Sequence, residues 1–156
     1  IYKIQKFHER IPNLLLLFIL KLIVLQIILG AFLSGLDGGL IYNSWPDMNG
    51  SFFPNDVGYN DFINTQLFNN SSIVQFLHRV IAYLLLFFII ILNYLYLKNN
   101  YGTKNIILFD IAILVQIFLG IITLLSGVEI TYASLHQLGS ILVLSSYFLI
   151  LYKNSN

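Results

Sequence analysis

The chain has 156 residues, of which 58% are hydrophobic and only 10% are charged, with a net charge of +1 and a mean hydropathy of +0.81. Soluble domains average about half apolar and a quarter charged residues, so these values argue against a soluble enzyme, a disordered tail and a nucleic-acid binder. Cysteine is absent, which excludes a disulfide framework, a thiolate metal site and a cysteine nucleophile. The composition indicates an integral membrane protein.

Four segments are long and apolar enough to cross a bilayer, for which a helix needs about 20 mostly apolar residues. In chain order, the predicted spans cover residues 14–36, 73–97, 106–126 and 132–152. The predicted fold class is therefore all-α integral membrane: a four-transmembrane-helix bundle in a membrane domain of residues 14–152. Residues 1–13 and 153–156 are expected to be cytoplasmic end segments.

The basic residues predict the orientation of the spans, because Lys and Arg concentrate in cytoplasmic segments. The segments expected on that side contain six of them: Lys3, Lys6, Arg10, Lys98, Lys104 and Lys153. The other two loops, residues 37–72 and 127–131, contain five acidic residues and neither Lys nor Arg. We therefore expect a multi-pass protein of the bacterial inner membrane, with both termini in the cytoplasm and residues 37–72 as an outer loop.

The outer loop, residues 37–72, is unusually long for a connection without an obvious periodic pattern. Gly, Pro, Asn and Asp punctuate it as turns, and its Trp, Tyr and Phe residues suit a membrane interface. Loops of this length are often functional, although a simple connector is the alternative.

Spans one and three share a sequence pattern, VLQIILGAFLSG in the first and LVQIFLGIITLLSG in the second. Gln26 aligns with Gln116 and Gly30 with Gly120, each at an offset of 90 residues. Each pattern is followed by an outer loop and then by a span with a histidine near its start, in FLHR and SLHQ. The chain therefore contains two parallel helix-hairpin repeats, which predict a pseudo-two-fold axis along the membrane normal.

The two histidines of the repeat, His78 and His136, are predicted to lie at matching depth, about 6–8 Å below the outer boundary. Histidine inside a membrane is a functional candidate, although a satisfied core histidine is an alternative. A zinc site needs four ligands, or three and a water, and a proton relay needs a chain of carboxylates. Both therefore fit a pair of histidines poorly. Heme needs only two axial ligands, so a bis-His heme fits these two residues best.

Arg79 directly follows His78, and a buried arginine needs a partner. A heme propionate near the outer surface is one candidate partner. Outer lipid headgroups and a carboxylate of the outer loop are the others.

The runs LQIILGAFLSGLDGGLIYNSWPDMNG, VQFLHRVIAY, VQIFLGIITLL and LHQLGSILVL closely resemble the C-terminal four-helix half of the heme A synthase family. The resemblance covers about residues 22–151, and GLDGGLIYNSWPDMNG is its most specific part. The family oxidises a methyl group of heme O to the formyl group of heme A, which then goes to cytochrome oxidase. The resemblance implies heme b as the cofactor of this half, His78 and His136 as its axial iron ligands, Arg79 as a further heme contact, and heme O as the substrate of the whole enzyme.

The other half of the family carries a Glu-x-x-His-Arg pattern whose glutamate is implicated in catalysis, whereas this chain has Gln75 at that position. An amide cannot act as a general base. The resemblance therefore implies a catalytic N-terminal half that is missing here, and the start at Ile1 rather than Met fits a truncation between the halves.

Expected partners are the lipid bilayer and either that N-terminal half or a second copy of the chain. The resemblance adds heme O synthase and cytochrome oxidase assembly factors, and no nucleic acid is expected. Two competing functions are a standalone bis-His b-type cytochrome for electron transfer and a membrane scaffold with satisfied histidines.

Overall fold

The computed structural model describes residues 11–58, 60–61, 67–99, 101 and 103–155. Within them lie four long helices: α1 (Asn13–Gly35), α2 (Ser71–Lys98), α3 (Lys104–Leu125) and α4 (Ile130–Ser155). Each helix is long and apolar enough to cross a membrane. The predicted all-α membrane class with four helices is confirmed. The predicted N-terminal segment and its basic residues, Lys3, Lys6 and Arg10, lie almost entirely outside the described residues.

The helix ends follow local chemistry. The side chain of Asn70 caps α2 by accepting a 3.1 Å hydrogen bond from the Ile73 backbone N–H, as short polar side chains do at helix N-termini. Helix α3 ends in a Schellman motif, in which the Val128 N–H donates to the Thr123 carbonyl and the Gly127 N–H donates to the Leu124 carbonyl. Gly127 has the left-handed φ of 70° that this motif requires.

The helices pack as two hairpins that run in the same direction. In the first hairpin α1 packs on α2, in the second α3 packs on α4, and α1 also contacts α4. The buried Tyr147 hydroxyl joins the hairpins by donating a 2.8 Å hydrogen bond to the Leu16 carbonyl. The two parallel repeats predicted from the sequence are therefore present as packed units.

The hydrophobic core lies at one end of the bundle, near the chain termini and the α2–α3 connection; we call this the terminus end and the opposite end the loop end. Residues from all four helices form this core: Leu16, Ile19, Ile23, Leu85, Ile89, Leu92, Phe109, Ile113, Val143, Tyr147 and Ile150. In the second hairpin no residue of 114–125 or 130–142 is buried. The protein itself therefore fills the bundle at the terminus end and leaves the loop-end half of the second hairpin less packed.

The connection between α1 and α2, which we call the long loop, folds back onto the loop end. It buries apolar side chains of its own, with Tyr42 5% and Met48 1% exposed. The Phe53 ring meets the Phe76 ring of α2 at a centroid distance of 5.1 Å. The Asn43 amide donates to the Leu124 carbonyl of α3 at 3.0 Å. The described part of the loop is thus a packed cover that spans both hairpins.

Candidate functional site

His78 lies in the first hairpin, against two residues of α1 that are one helical turn apart. The Gln26 side-chain nitrogen donates to the His78 carbonyl oxygen at 3.0 Å and lies 3.1 Å from His78 Nε2. Gly30 shares that helix face because residues four apart are neighbours. A Cβ at Gly30 would lie 3.4 Å from His78 Cε1, which is ordinary contact. Gln26 and Gly30 thus form the seat of the imidazole.

The second hairpin repeats this arrangement. The Gln116 side-chain nitrogen donates to the His136 carbonyl oxygen at 2.8 Å. A Cβ at Gly120 would lie only 2.8 Å from His136 Cε1, so glycine is required for the ring to keep this position. The aligned Gln and Gly residues of the sequence repeat therefore contact the histidine of their own hairpin. These four residues are visible in the sequence as a repeat, whereas their contacts with the histidines appear only in the structure.

Each imidazole has one ring nitrogen without a partner among the described residues. His136 Nδ1 lies 3.1 Å from the Gln116 carbonyl oxygen, which can only accept, so Nδ1 carries the proton and the Nε2 lone pair is available. In His78, Nε2 accepts a hydrogen bond from the Gln26 amide, so the buried Nδ1 carries the proton and has no partner among the described residues. The arrangement in His136, with one nitrogen held by a backbone carbonyl and the other available, is the usual one for a metal-binding histidine.

No group of three or more His, Cys, Asp or Glu side chains that could hold a metal ion occurs in the part of the chain that the structure describes. The porphyrin of a heme supplies four nitrogen ligands to the iron, so the protein needs to supply only two axial ligands. His78 and His136 match that requirement in number, and His136 presents an available ring nitrogen.

Arg79 points into the long loop. Its guanidinium donates to the Asp47 carbonyl at 2.5 Å and to the Tyr42 carbonyl at 3.1 Å. Gln75, 2% exposed, donates to the same Tyr42 carbonyl at 2.9 Å. The structure thus brings Gln75, His78 and Arg79 together on one stretch of α2, with the first and last bound to loop carbonyls.

A second set of loop contacts, which no pattern in the sequence predicts, holds the loop to the start of α2. Asp56 accepts hydrogen bonds from the Tyr42 hydroxyl at 2.5 Å and from the Ser72 hydroxyl at 2.6 Å. Burial, together with the hydrogen bond to Asp56, raises the pKa of Tyr42. Desolvation opposes ionisation of Asp56, but the hydrogen bonds from Ser72 and Tyr42 outweigh it and lower the pKa of this carboxyl. We call these three residues the Asp56 clasp.

The fold and site define a class: a four-helix membrane protein made of two histidine-bearing hairpins under a folded loop. The chain belongs to the COX15-CtaA family, described as cytochrome oxidase assembly protein, whose model matches residues 5–148.

Relatives named heme A synthase are similar to most or all of the chain. One from Pelagibacter ubique (strain HTCC1062) is 81% identical over 100% of this chain and 46% of its own length. Another from Rickettsia bellii (strain OSU 85-389) is 41% identical over 90% of the chain and 42% of its own length. One from Wolbachia pipientis wMel is 40% identical over 84% of the chain and 37% of its own length. The chain therefore spans less than half the length of these relatives. No solved structure matches the chain significantly.

Proposed function

We propose that this chain is the heme-binding C-terminal half of a heme A synthase, with His78 and His136 as the axial ligands of a heme b. The whole enzyme would oxidise the methyl group of heme O to the formyl group of heme A for cytochrome oxidase biogenesis. Family membership and the three heme A synthase relatives support the overall reaction. The assignment of this half rests on the site itself.

The observation that carries the proposal is the repeated seat of the two histidines. Both hairpins present an imidazole against a Gln and a Gly of the partner helix. Both imidazoles keep one nitrogen without a protein partner among the described residues. They lie toward the loop end, where the second hairpin contributes no buried side chain of its own. A flat apolar cofactor with two open coordination positions matches these features.

When bound, a heme b supplies one-electron redox chemistry. The chain's own residues orient the two rings and cover the loop end with the long loop. Arg79 places a cation beside His78, and its hydrogen bonds go to carbonyl oxygens, which carry no formal charge. A propionate is the anionic partner that such a cation would take.

Optical and EPR spectra of the purified chain test the heme assignment. We expect a low-spin bis-His spectrum that is lost in His78→Ala and in His136→Ala. The matched control is His8→Ala, which removes the third histidine of the chain, and it should keep the spectrum. A wild-type chain that purifies colourless from heme-replete cells would contradict the proposal.

The reaction requires the N-terminal half of the enzyme, because Gln75 cannot act as a general base. Its amide N–H instead donates a hydrogen bond to the Tyr42 carbonyl. We place the catalytic residues in the N-terminal half. Full-length protein from the same organism should form heme A from heme O, and this chain alone should not. If this chain alone forms heme A, the assignment of the catalytic residues is wrong.

A standalone bis-His b-type cytochrome is the second candidate, because this one chain contains both histidines of the pair. It predicts that deletion of the gene leaves cellular heme A unchanged. The heme A synthase proposal predicts that heme A is lost.

We propose a bacterial inner-membrane location with both termini in the cytoplasm, supported by the absence of Lys and Arg from residues 37–72. The chain has no cysteine, so single cysteines can be introduced at Asn55 and Ser155 and labelled with a membrane-impermeant maleimide. Only the first should react in intact spheroplasts. If only the Ser155→Cys variant were labelled, the orientation would be the opposite of the one proposed.

A further inference from the structure

We propose that Gln26 and Gln116 are positioning residues: they hold the two histidine-bearing helices at the height and rotation at which both imidazoles face one ligand. The identity of that ligand as heme rests on the proposed function. The positioning role rests on contacts within each hairpin.

The same hydrogen bond occurs in both hairpins. The Gln26 amide donates to the His78 carbonyl at 3.0 Å, and the Gln116 amide donates to the His136 carbonyl at 2.8 Å. A backbone carbonyl has two lone pairs, so it accepts this bond in addition to its own helical bond. Each bond therefore ties α1 to α2, or α3 to α4, at the residue that carries the imidazole.

Packing alone does not explain glutamine at these two positions. The side-chain oxygens of Gln26 and Gln116 are both buried without a partner among the described residues, and an unpaired buried polar atom is destabilising. Leucine has a similar size and would avoid this penalty. What glutamine adds in each hairpin is the amide N–H bond to the histidine carbonyl.

The two positions differ in how they reach the imidazole ring. The Gln26 side chain also lies 3.1 Å from His78 Nε2. In the second hairpin the ring of His136 is held by the backbone carbonyl of Gln116, which any residue at that position provides. Replacing Gln26 therefore removes the support of both the helix and the ring, whereas replacing Gln116 removes only the support of the helix.

The test compares Gln26→Leu, Gln116→Leu and the double variant in the heme-loaded chain. The matched control is Asn105→Leu, because Asn105 also donates from α3 to an α4 carbonyl, that of Leu149 at 3.3 Å, but at the terminus end. Heme affinity should fall about tenfold in Gln26→Leu and less in Gln116→Leu, as expected for partners of metal-binding histidines. The EPR g values and the midpoint potential should shift with it. Asn105→Leu should match the wild type.

A readout without heme separates this proposal from the heme assignment. In the heme-free chain labelled with 15N-histidine, Gln26→Leu should shift the ring signals of His78. Gln116→Leu should shift those of His136 less, because the Gln116 backbone carbonyl still holds that ring. If these shifts appear but the wild type never binds heme, the positioning role stands and the heme assignment fails. If heme binds and both variants match Asn105→Leu in affinity, g values and ring signals, the positioning role is wrong.

Discussion

The two hairpins carry the same histidine seat in very different surroundings. In the first, the long loop packs over α2, and Gln75 and Arg79 bind its carbonyls on either side of His78. In the second, α3 turns directly into α4 through a Schellman motif, and the loop-end half contains no buried residue. A Gln, a Gly and a His on two packed helices are therefore enough to form the seat. The loop covers it but does not create it.

The largest expected difference between the hairpins is in their glycines. Gly120→Ala should displace His136, because the new Cβ would lie 2.8 Å from the ring, and overpacking of this kind costs about 1–3 kcal/mol. Gly30→Ala meets His78 at 3.4 Å and should be tolerated, with about 0.5–1 kcal/mol of helix stabilisation. Heme occupancy and the thermal unfolding temperature in detergent should be measured for both variants. Equal effects of the two variants would show that the seats do not differ in tightness.

Gln75 tests the cover of the first hairpin. Gln75→Leu removes the buried donor to the Tyr42 carbonyl and should destabilise the chain by about 1–2 kcal/mol. The control in the second hairpin is Gln137→Leu. Gln137 is exposed and its amide lies 3.5 Å from the Ser34 hydroxyl, so this substitution should change the stability by less than about 0.5 kcal/mol. Chemical unfolding monitored by circular dichroism gives both values. If Gln75→Leu is as mild as its control, the loop is not anchored there.

Asn43 is the residue by which the loop reaches the second hairpin. Asn43→Ala removes the bonds of its amide to the Leu124 and Gly39 carbonyls and should reduce stability by about 1 kcal/mol. Proteolysis of the long loop should become faster, while the α3–α4 turn stays protected by its own Schellman bonds. Unchanged cleavage of the loop would mean that it is held by the first hairpin alone.

The smallest effect is expected from pH. Because the pKa of Asp56 is lowered in the folded chain, the clasp contributes stability above the ordinary pKa of Asp, about 4, and loses it as pH falls through the folded pKa. Trp45, the single tryptophan, lies in the long loop and should report the opening as a change in emission below about pH 4. Asp56→Asn should remove this transition. Glu129→Gln, in the second hairpin, should retain it.

Much of the fold was predictable because its signals are local. A run of apolar residues predicts a membrane helix wherever it occurs, and all four predicted helices are present. The repeat was also visible, since Gln26 and Gln116 stand at equivalent positions. The roles of His78, His136 and Arg79 toward heme stay predictions. The partners of Arg79 in the structure, three carbonyls of the long loop, were not among the partners considered from the sequence.

By itself the sequence determined the membrane class, the number of helices and the pairing of two histidine-bearing units, because hydropathy and repeated patterns are properties of short segments. Only the tertiary structure decided which atoms meet at each histidine. The Gln26 contact joins residues 52 apart in the chain, and the Asn43 contact joins residues 81 apart. No local pattern encodes such bonds, since they depend on how two separately formed helices and a folded loop are packed against one another.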